Sequence, residues 1–295
     1  MSRALSSIIL LLVFSLHGFS QDWDAVRADH SLVWGEGWGR TVEEADAQAL
    51  SALASRIAVA VSSDFRQVEQ QVRSASGCDY SLMQSSSTSA CSGITLMNTS
   101  QVILSSGRRS HVGRWISLED LGRIVADRTG RILGFEKDAL RAELSGFLDA
   151  ALRCHYWAYC LLRTLPRPSE VTGPDGRRLV NSISNDIARI LDDISIEAVS
   201  RNGDIITLSF FCGNDVVRSL DFSYFDGARW QRGRVSGSSR CRIEMAPGAL
   251  AQTLQIRIEY EYASRAASDN ELREVTRTSG RPFARSAFKS FRRNS

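Results

Sequence analysis

The chain has 295 residues, 43% of them hydrophobic, with 36 Lys+Arg against 33 Asp+Glu and a formal net charge of +3. That composition is ordinary for a globular chain with a buried core, and the length suits about two or three domains. So small a charge excess excludes the strongly basic footprint of a nucleic-acid binder, and beyond residues 1–20 no stretch is apolar for long enough to cross a membrane. Lys137 and Lys289 are the only lysines, so the arginine excess reads as codon bias and not as a binding patch.

Residues 1–20 read as a signal peptide. Arg3 supplies the positive start, Ile8 to Leu16 the apolar run, and Gly18 and Ser20 the small residues before a cleavage site at Gln21. The first cysteine is Cys78, so no lipid anchor is expected at the processed N-terminus.

Ser31 to Phe65 is the organising stretch of the chain. The pattern predicts a short strand at Leu32-Val33-Trp34, a turn through Gly35, Gly37 and Gly39, and then a long helix. Thr41 is the predicted N-cap, and Glu44, three residues on, completes a capping box. Val42, Ala45, Ala49, Leu53 and Ile57 recur at helical spacing, and the alanines let that face lie close to a sheet. The three glycines also sit where a phosphate-binding turn would sit, but the third comes one residue early and Trp34 and Trp38 crowd the place. No cofactor is expected there. A serine-rich loop over Ser74–Gly93 comes next, bracketed by Cys78 and Cys91. Strands are predicted over Ile94–Ser105 and Ser110–Ile116 around a turn at Gly107. Residues 21–116 thus read as a small α/β sandwich, strand–helix–strand–strand.

The Trp-Gly-Glu-Gly-Trp-Gly start, the Glu-Glu-Ala-Asp-x-x-Ala-Leu helix and the Ile-Ala-Val-x-Val-Ser-Ser-Asp-Phe run carry a resemblance. Together they make residues 30–116 similar to the Lpp-twenty lipoprotein-like domain of bacterial envelope proteins. The resemblance implies the α/β fold and a place in a Gram-negative periplasm or at the outer membrane. It implies work as an accessory, not as an enzyme. The chain departs from that family's usual N-terminal lipidated cysteine.

Residues 117–168 predict a helical connector. Ser117 is an N-cap candidate with Asp120 three residues on. The stretch around Gly146 to Ala158 resembles a single tetratricopeptide-type helical pair, which one unit alone cannot bury. Pro166 and Pro168 end it. Residues 169–193 read as a linker with a short helix at Ile183–Leu191. From Ile194 the pattern is all-β, with turn signals at Asn202-Gly203 and Asp226-Gly227. Residues 194–263 therefore predict an immunoglobulin-like β-sandwich, and 264–295 a basic tail. The whole is an α+β multidomain chain.

Six cysteines in an exported chain point to disulfides. Sequence proximity favours Cys78 with Cys91, and strand position favours Cys212 with Cys241. Cys154 and Cys160, six residues apart on a helix, are either buried thiols or bridged where the helix breaks. Cys154, His155 and Cys160 fall on different helix faces, so no metal site is expected. The histidines are His17, His30, His111 and His155, and no Gly-x-Ser-x-Gly elbow accompanies them. No catalytic residue is expected. The expected function is an exported, non-enzymatic envelope scaffold that binds another envelope protein or cell wall. A polysaccharide- or peptide-binding module is the runner-up and a cryptic hydrolase the third reading.

Overall fold

The computed structural model describes residues 23–57, 99–165, 168–247, 253–258, 260, 262–278 and 288–292. The expected signal peptide, the serine-rich loop and the pair Cys78–Cys91 lie outside these residues. The chain divides into two compact units, with the boundary between Arg123 and Ile124.

The first unit is a three-stranded antiparallel sheet with a helix on each face. Strand β1 (Leu32–Gly39) pairs with β3 (Ser110–Ser117), which also pairs with β2 (Ser100–Ser105), giving the order β1-β3-β2. Helix α1 (Trp23–Ala28) precedes β1, and helix α2 occupies residues 42–57. The sequence pattern places Gly35, Gly37 and Gly39 in a turn, but the structure places all three inside β1. None has a positive φ. Their role is close approach. A Cβ on Gly37 would sit 2.1 Å from the Ala45 carbonyl oxygen, and one on Gly35 would sit 2.4 Å from the Leu53 amide nitrogen. The alanine face of α2 lies directly on glycine backbone, and Ala45, Ala49, Leu53 and Val112 are fully buried there. Arg114 of β3 ties the layers together through Nε to Asp46 Oδ1 at 2.6 Å and a terminal nitrogen to Asp46 Oδ2 at 2.8 Å. At the start of α2 the Thr41 hydroxyl accepts from the Glu44 N–H at 3.2 Å. The Glu44 carboxylate accepts from the Arg40 N–H at 2.8 Å, one residue before the cap.

The second unit joins the predicted connector, linker and sandwich in one hydrophobic core. Helix α3 (Leu118–Leu144) begins in the first unit and runs unbroken through Gly134. Helix α4 (Leu148–Leu162) is buried nearly all round, as its apolar composition requires. Helix α5 (Leu179–Asp193) buries Leu179, Ile183, Ile187 and Ile190 along one stripe. The predicted linker is therefore largely helix.

Two antiparallel sheets complete this core. One is ordered β11-β10-β7-β8, from β11 (Phe288–Arg292), β10 (Thr253–Ile258), β7 (Ser219–Phe225) and β8 (Trp230–Ser236). In the other, β5 (Ile205–Cys212) pairs with β4 (Ile194–Asn202) on one side. On its other side it pairs with both β6 (Asp215–Val216) and β9 (Arg240–Glu244). Phe210 of β5 and Phe222 of β7 meet with ring centroids 4.8 Å apart. Gly233, opposite Phe222, leaves room for that ring, since a Cβ there would lie 2.3 Å from it. The expected basic tail is built into the unit. Helix α6 (Asn270–Thr278) buries Leu272 and Val275, and β11 extends a sheet.

Candidate functional site: an exposed tryptophan on a braced polar cluster

Strand alternation puts Trp34, Glu36 and Trp38 on the face of β1 opposite its glycines. The register sets Trp34 against Trp115, Glu36 against Gly113 and Trp38 against His111. Helix α1 crosses this face. Its Trp23 ring covers Gly113, where a Cβ would lie 2.6 Å from ring carbons. Trp23 packs edge-on to Trp34 at 5.9 Å and tilted on Trp115 at 6.0 Å.

Glu36 is the hub of the polar half. Its Oε1 accepts from Trp23 Nε1 at 3.1 Å and faces Arg27 Nε at 3.3 Å. Its Oε2 lies 3.1 Å from His111 Nε2. A carboxylate oxygen accepts, so the His111 proton in this contact sits on Nε2. The imidazole in turn stacks on Trp38, with centroids 4.6 Å apart and planes 13° from parallel. Trp38 is nevertheless 55% exposed. One indole face is held by the histidine and a large part of the ring meets solvent. Trp34 is placed differently, between the guanidinium of Arg56 at 3.6 Å and that of Arg27 at 5.4 Å. The two tryptophans expected to crowd the glycine turn thus divide into one packed ring and one displayed ring. A carboxylate engaged by three donors is spent on holding geometry. The arrangement presents a rigid, flat apolar surface beside polar groups, which suits adsorption of a ligand.

The sequence pointed to the glycines and tryptophans of this stretch but missed Glu36, His111 and Gly113. The signal was the alternation His111-x-Gly113-x-Trp115, with a glycine inside a strand pattern, opposite Trp34-x-Glu36-x-Trp38.

The other singled-out residues are scattered. Cys212 and Cys241 are not bridged. Cys241 is opposite Leu208, so Cys212 lies four residues further along β5, roughly 13 Å away, where a disulfide needs Cα atoms within about 7 Å. The expected pairing is therefore corrected. Strand position brought the right strands together in the wrong register. In the second unit, His155 Nδ1 lies 2.9 Å from Glu136 Oε1, both residues are buried, and His155 Nε2 has no hydrogen-bond partner among the described residues. Burial pushes the neighbouring Cys154 thiol up to about 11. Among the described residues no three His, Cys, Asp or Glu side chains gather as a metal cluster.

No protein-family model matches the chain, and neither a curated protein nor a solved structure matches it. No described helix is long and apolar enough to cross a membrane.

Proposed function

We propose that this chain is an exported, non-lipidated accessory protein of a Gram-negative envelope that binds the cell wall or another envelope protein and performs no catalysis. Of these two partners, the Trp38 platform favours the wall. A stacked, half-exposed indole offers its free face to the C–H face of a sugar ring, and burial of that apolar area is the driving term. The observation that carries this reading is the Trp38–His111–Glu36 stack. The resemblance of residues 30–116 to the Lpp-twenty domain and the signal-like residues 1–20 support the envelope location. The two-sheet part of the second unit is the portion for which an immunoglobulin-like relationship is proposed.

Purified cell-wall sacculi sedimented with the full chain provide the test. Trp38→Ala is expected to lose most of the co-sedimentation, because its exposed ring supports little of the fold, while the thermal midpoint stays close to that of the parent. Undiminished co-sedimentation by Trp38→Ala, or none by the parent, would reject wall binding through this platform.

A protein partner is favoured by a different feature. Leu144 is 90% exposed, Phe147 and Val216 are exposed too, and a Cβ on Gly146 would lie 2.8 Å from the Val216 carbonyl oxygen. Exposed apolar groups gathered at one corner are a common mark of protein docking.

A further inference from the structure

Phe222 and Tyr224 of β7 point into the core, so Asp221 and Ser223 face the opposite side of that sheet. The register places Arg234 beside Asp221, and Arg232 and Arg257 on either side of Ser223. A cavity of about 250 Å³ opens here, lined by Asp221, Arg232, Arg234, Tyr262, Ser264 and Arg265.

Two of its arginines are fixed by carboxylates, the buried Asp149 and the half-buried Asp221. Arg234 lies 3.3 Å from Asp149 and 3.6 Å from Asp221. Arg265 lies 3.5 Å from Asp149 and also pairs directly with Asp221. Two anions thus answer two cations. Arg232, Arg257 and Arg153 have no carboxylate partner among the described residues, and Arg153 instead lies 5.6 Å over Trp157 and 5.8 Å over Tyr262. Burial first, and then Asp221 and Asp149, raise the Tyr262 phenol well above its ordinary value, so it stays protonated. The described lining therefore carries surplus positive charge, a hydroxyl at Ser264 and guanidinium N–H groups that the aspartates do not use up.

We propose that this cavity binds a small oxyanion, a carboxylate or a phosphate. Arg232 receives the charge, while Arg234 and Arg265, held by Asp149 and Asp221, present donors whose positions are already set. Fixed donors lose little freedom on binding, and charge-assisted bonds to an oxyanion are the strong kind. Arg257 and Arg153, without a carboxylate partner among the described residues, add to the field that draws an anion in. Because the site uses the second unit alone, it stands or falls separately from the Trp38 platform.

Titration calorimetry of the full chain tests this, with inorganic phosphate in one arm and malonate in the other. One of the two is expected to bind saturably at one site, and the tighter arm identifies the natural group as phosphate or carboxylate. Arg232→Gln is expected to weaken that binding about tenfold, the scale of one charged hydrogen bond. Its thermal midpoint should not change, since Arg232 has no carboxylate partner to lose among the described residues. Arg240→Gln, an exposed arginine on β9, is the control and should bind like the parent. Absence of saturable binding in both arms, full binding by Arg232→Gln, or equal loss in Arg240→Gln would each overturn the proposal.

Discussion

A methyl group on Gly37 would collide with the Ala45 carbonyl oxygen at 2.1 Å, and that oxygen belongs to helix backbone that cannot step aside. A methyl group on Gly134, midway along α3, would meet nothing within 4 Å. The same substitution should therefore have opposite signs at the two places. Gly37→Ala is expected to destabilise the first unit by about 3 kcal/mol through overpacking. Gly134→Ala is expected to stabilise by about 0.5–1 kcal/mol, because it removes backbone freedom from the unfolded helix. Denaturant midpoints of the two variants decide the matter, and equal shifts would mean that α2 does not rest on β1. The glycine spacing was visible in the sequence, and so was the alanine face of α2. That the two meet was hidden, because a glycine marks a turn and a close approach with the same letter. Glu36 was hidden for a related reason. One glutamate in a glycine-rich run looks solvated until the cross-strand register brings His111 and Trp23 to it.

The hairpin from β7 to β8 turns on one carboxylate. Asp226 Oδ1 accepts from the Ala228 N–H at 2.8 Å and the Arg229 N–H at 2.9 Å, and Oδ2 accepts from Gln231 at 2.8 Å. The backbone bond from Arg229, then the side-chain bond from Gln231 and then the backbone bond from Ala228 hold the carboxyl below its ordinary value of 3.8. A lowered folded value means stability that is fully present above 3.8 and lost as the pH falls through the lowered value. Asp226→Asn keeps the shape and removes the charge. Its thermal midpoint should fall below the parent's at pH 7, and the gap should narrow as the pH drops below about 3.8. A gap independent of pH would mean that the ionised form has no special role. The Asp226-Gly227 pair announced this turn in the sequence, and Gly227 has φ 106°. The Asn202-Gly203 signal was also legible, although the loop it makes is Gly203-Asp204, with Asn202 still paired to Ile205. Strand β8 escaped the sequence reading, and α5 was read too short, as Ile183–Leu191. Arg-Gly-Arg in β8 has little β-propensity of its own, and the strand is held by its pairing with β7.

The second unit closes with residues that its composition marked as a tail. The C-terminal segment is net basic, yet α6 and the residue before it dock through acids: Glu271 bonds Arg128 at 2.5 Å and Asp269 bonds Arg131 at 2.7 Å. Leu272 and Val275 are buried beside these pairs. Removing residues 264–295 is expected to cost several kcal/mol, about 1.5–3 for each buried aliphatic chain, and leaves Arg128 without its Glu271 partner. Urea unfolding followed at Trp157 and Trp230 would show this, and an unchanged midpoint would mean that the segment is ornamental. Net charge concealed the docking because the sum over a segment does not reveal which residues face inward. The pairing of β1 with β3 has a consequence in time. Leu32 finds its partner only at Ser117, so β1 and α2 are synthesised and, on the export reading, carried across a membrane long before their sheet exists. Closing so long a loop is entropically slow, and an unpaired strand in the interval is a template for wrong partners. Three glycines make β1 a poor strand on its own. The residues that let α2 settle against β1 in the finished unit would thus also keep β1 from pairing with a stranger while it waits for Ser110 to Ser117.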